Sequence, residues 1–281
     1  MSKTVTTIPR RIRLIAVIVL KLTLLYRPTL IILQQLTRMK EKLYPRLWQR
    51  KALLFYSQFV TDGSLCFDIG ANVGNRTAIF RKLGATVIAV EPQDDCVSRL
   101  RTTFANDNRV KIVQKAVGPQ EGEVNMAINT KHNDVSSCSP EWVNAVTSSG
   151  KVPDYVWDRS IKVRMTTLDN LIDEFGIPSF CKIDIEGFEY EAIKGLSHTI
   201  NALSFEFHAE YLASAFGSIR RLANLGLTRF NYSFSESMQL ALPKWVTAEE
   251  LCSILENMPD KFACGDVYAT IRELEAGSLS L

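Results

Sequence analysis

A chain of 281 residues with 46% hydrophobic and 22% charged residues is ordinary globular material, long enough to bury a full core; this excludes a disordered, collagen-like or disulfide-scaffold protein. The net charge of +3 is unevenly spread: residues 1–51 carry 12 Lys and Arg against one acid, Glu41, while the remainder carries 21 against 29. The mildly acidic body argues against nucleic acid as its main partner, and the basic arm needs its own explanation.

The arm comes first in the chain. Its apolar run, residues 14–33, is broken by Lys21, Arg27 and Pro28, and the longest clean stretch is Leu14–Leu20. A spanning helix needs about 20 mostly apolar residues, and two central cations are costly in a bilayer. No small-residue cleavage site follows, which disfavours a cleaved signal peptide. On a helical wheel Arg10, Arg13, Lys21, Arg27 and Arg38 share one side and Leu14, Ile15, Ile18, Leu22, Leu25 and Leu33 cover the other, with Val17, Leu24 and Ile31 inside the basic arc, so the segregation is imperfect. Two readings stand level: a peripheral helix on an anionic inner membrane face, and a helix packed on the domain or on a second subunit. The expected division is an arm over 1–60 and a domain over 61–281.

From residue 61 short β-rich runs alternate with helical stretches. Ser64–Ile69 leads into a helix over Asn75–Leu83, Thr86–Glu91 into one over Asp95–Phe104, and Val110–Val117 forms a third run. Glu123–Asn129 reads as an extra strand, followed by a polar segment, 131–160. Ile161–Met165 is a short strand before a helix over Leu168–Phe175. Then come Phe180–Ile185 with a helix through Tyr190, Leu203–His208 with a long helix to Asn224, Thr228–Phe234, a helix opened by the capping box Thr247-x-x-Glu250, and Gly265–Ile271. Seven runs pair with helices, and their two-sided apolar character predicts a mostly parallel seven-stranded sheet covered on both faces. Such sheets bind ligands at the carboxyl ends of their strands.

The first strand ends Asp68-Ile-Gly70-Ala-Asn72-Val-Gly74-Asn75. Glycine at 70 permits a sharp turn, glycine at 74 a close ligand approach, and the following helix N-terminus favours a polar group. The second strand ends Glu91-Pro92, 21 residues after Gly70, where a carboxylate can accept from both hydroxyls of a ribose. A nicotinamide fingerprint would need glycine at 72 and 75, and both are asparagine. Asp68 would repel a diphosphate but tolerates the cationic S-adenosylmethionine. An ordinary tight βα turn would account for the glycines alone; the joint presence of Glu91 favours an adenosine-type cofactor.

The six cysteines, Cys66, Cys96, Cys138, Cys181, Cys252 and Cys264, include no Cys-x-x-Cys pair, which removes zinc-ribbon and thioredoxin readings. Cys66 and Cys181 lie in apolar runs, a usage that suits a reducing, cytoplasmic setting.

In this order DIGANVGN, AVEP, KAVG, TTLDNLI, KIDIEGFE, LSFEFH and GDVYA resemble the FkbM-type family of S-adenosylmethionine-dependent methyltransferases, over roughly residues 61–271. The resemblance implies a class I methyltransferase (Rossmann-like) fold with six parallel strands and an antiparallel seventh. It implies O-methylation of a hydroxyl on a sugar, glycolipid, polyketide or similar small molecule. It also implies cofactor contacts at Asp68, Gly70, Asn72, Gly74 and Glu91, with Gln93, Ala116 and Val117 around the adenine. The arm lies outside it.

The fourth strand ends Lys182-Ile-Asp184-Ile-Glu186-Gly187 and the fifth ends Glu206-Phe-His208. Period-two geometry places Asp184 with Glu186, and Glu206 with His208, on one face of each strand. The expected role of these acids, Asp184 and Glu206 among them, is to hold the acceptor hydroxyl, with His208 or a carboxylate as base; imidazole is the side chain best matched to proton transfer near neutral pH. A divalent metal on Asp184 and Glu206 is the less favoured use of the same acids. Glu189 reads as a helix-start acid. Segment 131–160, with Trp142, Tyr155 and Trp157, reads as a lid or acceptor pocket in which Ser136 and Ser137 could touch ligand. Two rivals are a metal-dependent glycosyltransferase, which leaves DIGANVG unexplained, and a non-catalytic cofactor-binding module.

Overall fold

Strand runs that are apolar on both faces need cover from both sides, and the computed structural model supplies it over the residues it describes, 46–150, 154–260 and 263–271. The chain divides into two compact units, Met1–Arg50 and Lys51–Leu281. The arm's apolar run and its basic face lie outside the described residues. Among the described residues no helix is long and apolar enough to cross a membrane.

The elements in order are helical residues 46–56 (α1), β1 (Leu65–Ile69), α2 (Asn75–Lys82), β2 (Thr86–Val90), α3 (Asp94–Thr103), β3 (Val110–Val113), β4 (Ala116–Val117) and β5 (Gly122–Ile128). There follow α4 (Pro140–Ser149), β6 (Arg159–Thr166), α5 (Leu168–Phe175), β7 (Phe180–Ile183), α6 (Glu189–Lys194), β8 (Ala202–His208), α7 (Leu212–Asn224), β9 (Arg229–Phe234), α8 (Ala248–Glu256) and β10 (Cys264–Thr270). The main sheet has seven strands in the order β3-β2-β1-β7-β8-β10-β9. β10 runs antiparallel to both neighbours, and the other pairings are parallel. This is the class I methyltransferase arrangement. Strand order reverses between β1 and β7, so the crevice of this fold opens at their carboxyl ends.

Helix boundaries follow local chemistry. Thr167 Oγ1 accepts from Asn170 N at 3.0 Å to open α5, whose Leu168, Leu171 and Ile172 are buried on one stripe. Both arms of the expected capping box form at α8: Thr247 N donates to Glu250 Oε2, and Glu250 N donates to Thr247 Oγ1.

Two expectations change. The run Val110–Val117 splits, because Ala116 and Val117 leave the main sheet and pair with β6 in a second sheet, β4-β6-β5. Segment 131–160 is largely ordered: a 3-10 turn at Asn133–Val135 precedes α4, which Ser139 caps by accepting from Trp142 N. Helical residues 51–56 and Phe59 belong to the second compact unit, and they hold to it by aromatic packing. Phe55 meets Tyr268 at 5.2 Å between ring centroids, Tyr56 meets Phe80 at 5.1 Å, and Phe59 stacks on Phe180 at 5.0 Å. All six cysteines are free.

Candidate active site

The site begins with the turn that follows β1. Gly70 adopts φ 81°, and a Cβ there would lie 1.8 Å from the Asp184 carbonyl oxygen, so only glycine lets the end of β1 sit against the end of β7. Asp184 N donates to Ile69 O at 2.9 Å across the same junction. Beyond the turn, Asn72 N donates to Glu91 Oε2 at 3.0 Å, and Gln93 N donates to Glu91 Oε1 at 2.9 Å. Glu91 is therefore held by two backbone donors at the end of β2. Burial pushes its carboxyl above the ordinary range, and the N–H groups of Gln93 and Asn72 pull the other way.

These residues enclose a solvent-open cleft with about 510 Å³ of empty space. Of the cofactor residues expected from sequence, Gly70, Asn72, Glu91, Gln93, Ala116 and Val117 all line it, and Asp184 joins them from β7. Sequence reasoning missed Asn133, Asp134 and Cys138, and met Glu186 and Ser136 only in passing; all five line the cleft. Their common signal was a segment rich in cap and turn residues, through which Gln93 Nε2 donates to Asn133 O at 3.1 Å.

Two expected cofactor residues are placed elsewhere, and the expected Glu206 and His208 are also outside the lining of this cleft. Asp68 is 1% exposed and is not among the lining residues; its Oδ2 accepts from Thr77 Oγ1 at 2.5 Å, so it faces α2. Burial raises its carboxyl. Gly74 caps α2, and a Cβ there would lie 2.8 Å from Leu100 and 2.7 Å from Phe104. Its smallness serves the packing of α2 on α3 rather than the approach of a ligand to this cleft.

The acids and the histidine gather at the ends of β7 and β8. His208 Nε2 lies 3.1 Å from Glu206 Oε2 and 3.7 Å from Glu186 Oε2. One donor atom from each of the three falls within 4.8 Å of the others, a spacing a divalent ion could accept. That set contains Glu186 in place of the expected Asp184. Asp184 is instead bound by Lys182 Nζ at 3.1 Å, and Lys182, 1% exposed, also reaches Asp266 Oδ1 at 3.0 Å. Burial alone would raise the Asp184 carboxyl, but Lys182 and Arg76 hold it below the usual range. Burial and the charges of Glu206 and Asp184 push Glu186 well up. Burial opposes a charged His208, yet Glu206 beside it raises the imidazole to about 9.

Two supports fix this cluster. The Trp142 ring lies edge-on to His208 with centroids 5.3 Å apart, and Ser137 Oγ donates to the Glu186 carbonyl at 2.6 Å. Glu189 starts α6 as expected and does more: its Oε1 accepts from Ile185 N and Gly187 N, both at 3.1 Å, which shapes the turn carrying Glu186. Burial, then Glu206, raises its carboxyl to about 7.

Comparison with known proteins gives one family match: the model described as "Methyltransferase FkbM domain" matches residues 68–234, more than half of the chain. A search of curated proteins finds no match. Among solved structures, a precorrin-6y C5,15-methyltransferase from Geobacter metallireducens GS-15 is similar at 10% identity, covering 78% of this chain and 87% of its own, with a TM-score of 0.40. An rRNA methylase from Streptococcus thermophilus aligns at 11% identity over 78% of this chain and 94% of its own, with a TM-score of 0.38. Aeropyrum pernix fibrillarin, in complex with natively bound S-adenosyl-L-methionine, aligns at 8% identity over 75% and 68%, with a TM-score of 0.40.

Proposed function

Because the chain belongs to the FkbM methyltransferase family, we propose that it moves a methyl group from its cofactor, S-adenosylmethionine, to a hydroxyl oxygen on a sugar, glycolipid or polyketide-type small molecule. The observation that carries this reading is the convergence of Gly70, Asn72, Glu91, Gln93 and Asp184 on one cleft at the strand-order reversal. The family match removes the ground for a glycosyltransferase.

The residues fit the cofactor. A carboxylate has about four lone-pair sites, so Glu91, after accepting from two backbone donors, keeps capacity for two ribose hydroxyls. Gly70, by letting the end of β1 sit against the Asp184 carbonyl, keeps the turn that lines the cleft tight. Ala116 and Val117 would flank the adenine, with Gln93 at its edge. When bound, the cofactor supplies a methyl group already made electrophilic by its sulfonium, so the protein contributes chiefly alignment. With the His208 Nε2–H directed at Glu206, 3.1 Å away, Nδ1 of the neutral ring would be the atom to receive the acceptor's proton.

Glu91→Ala should weaken S-adenosylhomocysteine binding by about 1.5–3 kcal/mol for each charged hydrogen bond lost. Calorimetry on the folded variant checks this, and unchanged affinity would remove Glu91 from the cofactor site. The acceptor class is tested by incubating the protein with methyl-labelled cofactor and a small-molecule extract of its native host, then seeking labelled products heavier by one CH₂. Total RNA serves as the second arm and should stay unlabelled, in keeping with the acidic body. Labelled RNA would overturn the small-molecule assignment, and no label in any fraction would favour a module without turnover.

A further inference from the structure

A general base has to be aimed as well as placed, and a single hydrogen bond does not aim a planar ring. The His208 imidazole has one close polar contact, Nε2 to Glu206 Oε2 at 3.1 Å, with Glu186 Oε2 farther off at 3.7 Å. The ring can swing about that contact unless something bulky stops it. Trp142, in the first turn of α4, supplies the bulk: its ring stands edge-on to the imidazole, with centroids 5.3 Å apart.

Trp142 is itself wedged in place. Only glycine at 187 admits it, since a Cβ there would lie 2.2 Å from its Cγ and 2.3 Å from its Cβ. Trp157 packs across it at 5.7 Å between centroids, and Trp157 is anchored by donating Nε1–H to Val135 O at 2.8 Å. Trp142 is 2% exposed, and its Nε1 meets no hydrogen-bond acceptor among the described residues. A buried donor left unpaired is a cost, so what this position uses is the flat bulk of the indole. The same stretch of chain reaches the cofactor cleft. Asn133 O accepts from Gln93 Nε2, Ser136 and Cys138 line the cleft, and Ser137 Oγ donates to the Glu186 carbonyl.

We infer that Trp142 is a positioning residue for methyl transfer: wedged into the notch at Gly187, it orients the His208 imidazole and, through segment 133–142, keeps it in register with the cofactor cleft. This rests on the reading of His208 as base and adds what aims that base. Alignment at this scale matters, because a misplacement of about 1 Å can cost roughly 10²-fold in rate. The ionisable groups around the imidazole are Glu206 on β8, Glu210 just after it, Glu186 after β7, Glu189 on α6 and Cys264 opposite on β10. Replacing Trp142 removes none of these groups, so a changed His208 titration would report the freedom of the ring.

The test reads the imidazole directly, by nitrogen and proton magnetic resonance of the full chain; the signal lost in His208→Gln tells it from the other two histidines. In the unsubstituted protein, at a pH above its titration, His208 should carry its proton on Nε2 and show Overhauser contacts to the Trp142 indole. A ring protonated on Nδ1, or one averaging both forms, overturns the inference and needs no variant. Trp142→Leu should free the ring from Glu206, so that its midpoint falls from about 9 toward the ordinary 6.5. The labelling rate, with methyl-labelled cofactor and the host extract, should fall by roughly 10–10²-fold, while calorimetric affinity for S-adenosylhomocysteine changes by less than about twofold. Trp142→Phe, which keeps a flat ring and removes no hydrogen bond, should bring both readings back toward the parent. Circular dichroism checks folding, and Trp142→Met carries the same expectations if the leucine variant fails to fold. Midpoint and rate both at parent values without the ring overturn the inference, as does a phenylalanine variant as impaired as the leucine one. A midpoint that falls while labelling holds would keep Trp142 as the anchor of the ring and remove His208 from the role of base, a failure of the earlier reading alone. Should no fraction take label, the tautomer and the midpoint still decide.

Discussion

His208→Ala lowers kcat/KM by roughly 10²–10⁴-fold, the usual contribution of a positioned general base. The pH profile carries the sharper expectation. An imidazole raised to about 9 by Glu206 is mostly protonated at neutral pH, and only the neutral ring can take a proton. Activity should therefore rise with pH through about 9 and level off above it. In His208→Ala that limb should vanish. Chelator should have little effect. If instead a divalent ion joins Glu186, Glu206 and His208, chelator should abolish turnover and Mg²⁺ should restore it. Steady-state rates across pH, with and without chelator, separate these outcomes. Full activity in His208→Ala would leave positioning by Glu206 and Asp184 as the surviving account.

Lys182→Met should destabilise the fold by about 3–5 kcal/mol, the usual cost of removing one partner from a buried ionic cluster. The loss comes from what remains. Asp184 and Asp266 would be left near each other without the ammonium that now sits 3.1 and 3.0 Å from them. The sign of the pH dependence follows from Asp184, whose carboxyl lies below its ordinary value in the folded protein. Such a group adds stability above its unfolded-state value, and the addition is lost as pH falls through the folded one. The unsubstituted protein should lose this share of its stability in acid, and Lys182→Met should lose less. Urea unfolding of both proteins at neutral and acidic pH measures it. A variant as stable as the parent would mean that Lys182 contributes no net attraction.

Most of the main sheet was legible because its strands are short, apolar on both faces and separated by capped helices. What sequence alone did not carry was lateral information. The run ending at Val117 looks continuous, but Ala116 pairs with Met165, almost fifty residues later in the chain. Lys182 reads as a lone cation in an apolar strand until Asp266, 84 residues on, is seen beside it. The site divided in the same way. Gly70 and Glu91 are fixed by being at strand ends, where any fold of this class must bring them together. Asp68 lies one residue inside its strand, and its face was a matter of pleat that only packing against Thr77 decides. The helix α4 had its signals on display, Ser139 and Pro140 at its start and Gly150 at its end. They were outweighed by the polar composition around them.

The rings of Phe55, Tyr56 and Phe59 set a limit on trimming the chain. Burial of each contributes about 1.5–3 kcal/mol. A protein cut to begin at residue 61 would lose all three and leave Phe80, Phe180 and Tyr268 wet. The damage would also travel, because the Tyr268 hydroxyl lies 3.3 Å from Asp266 Oδ2, and Asp266 holds Lys182. Water admitted beneath these rings would reach the charged trio behind the cleft from its underside. Shortening from the amino end should therefore stop at Arg50, the last residue before the second unit begins.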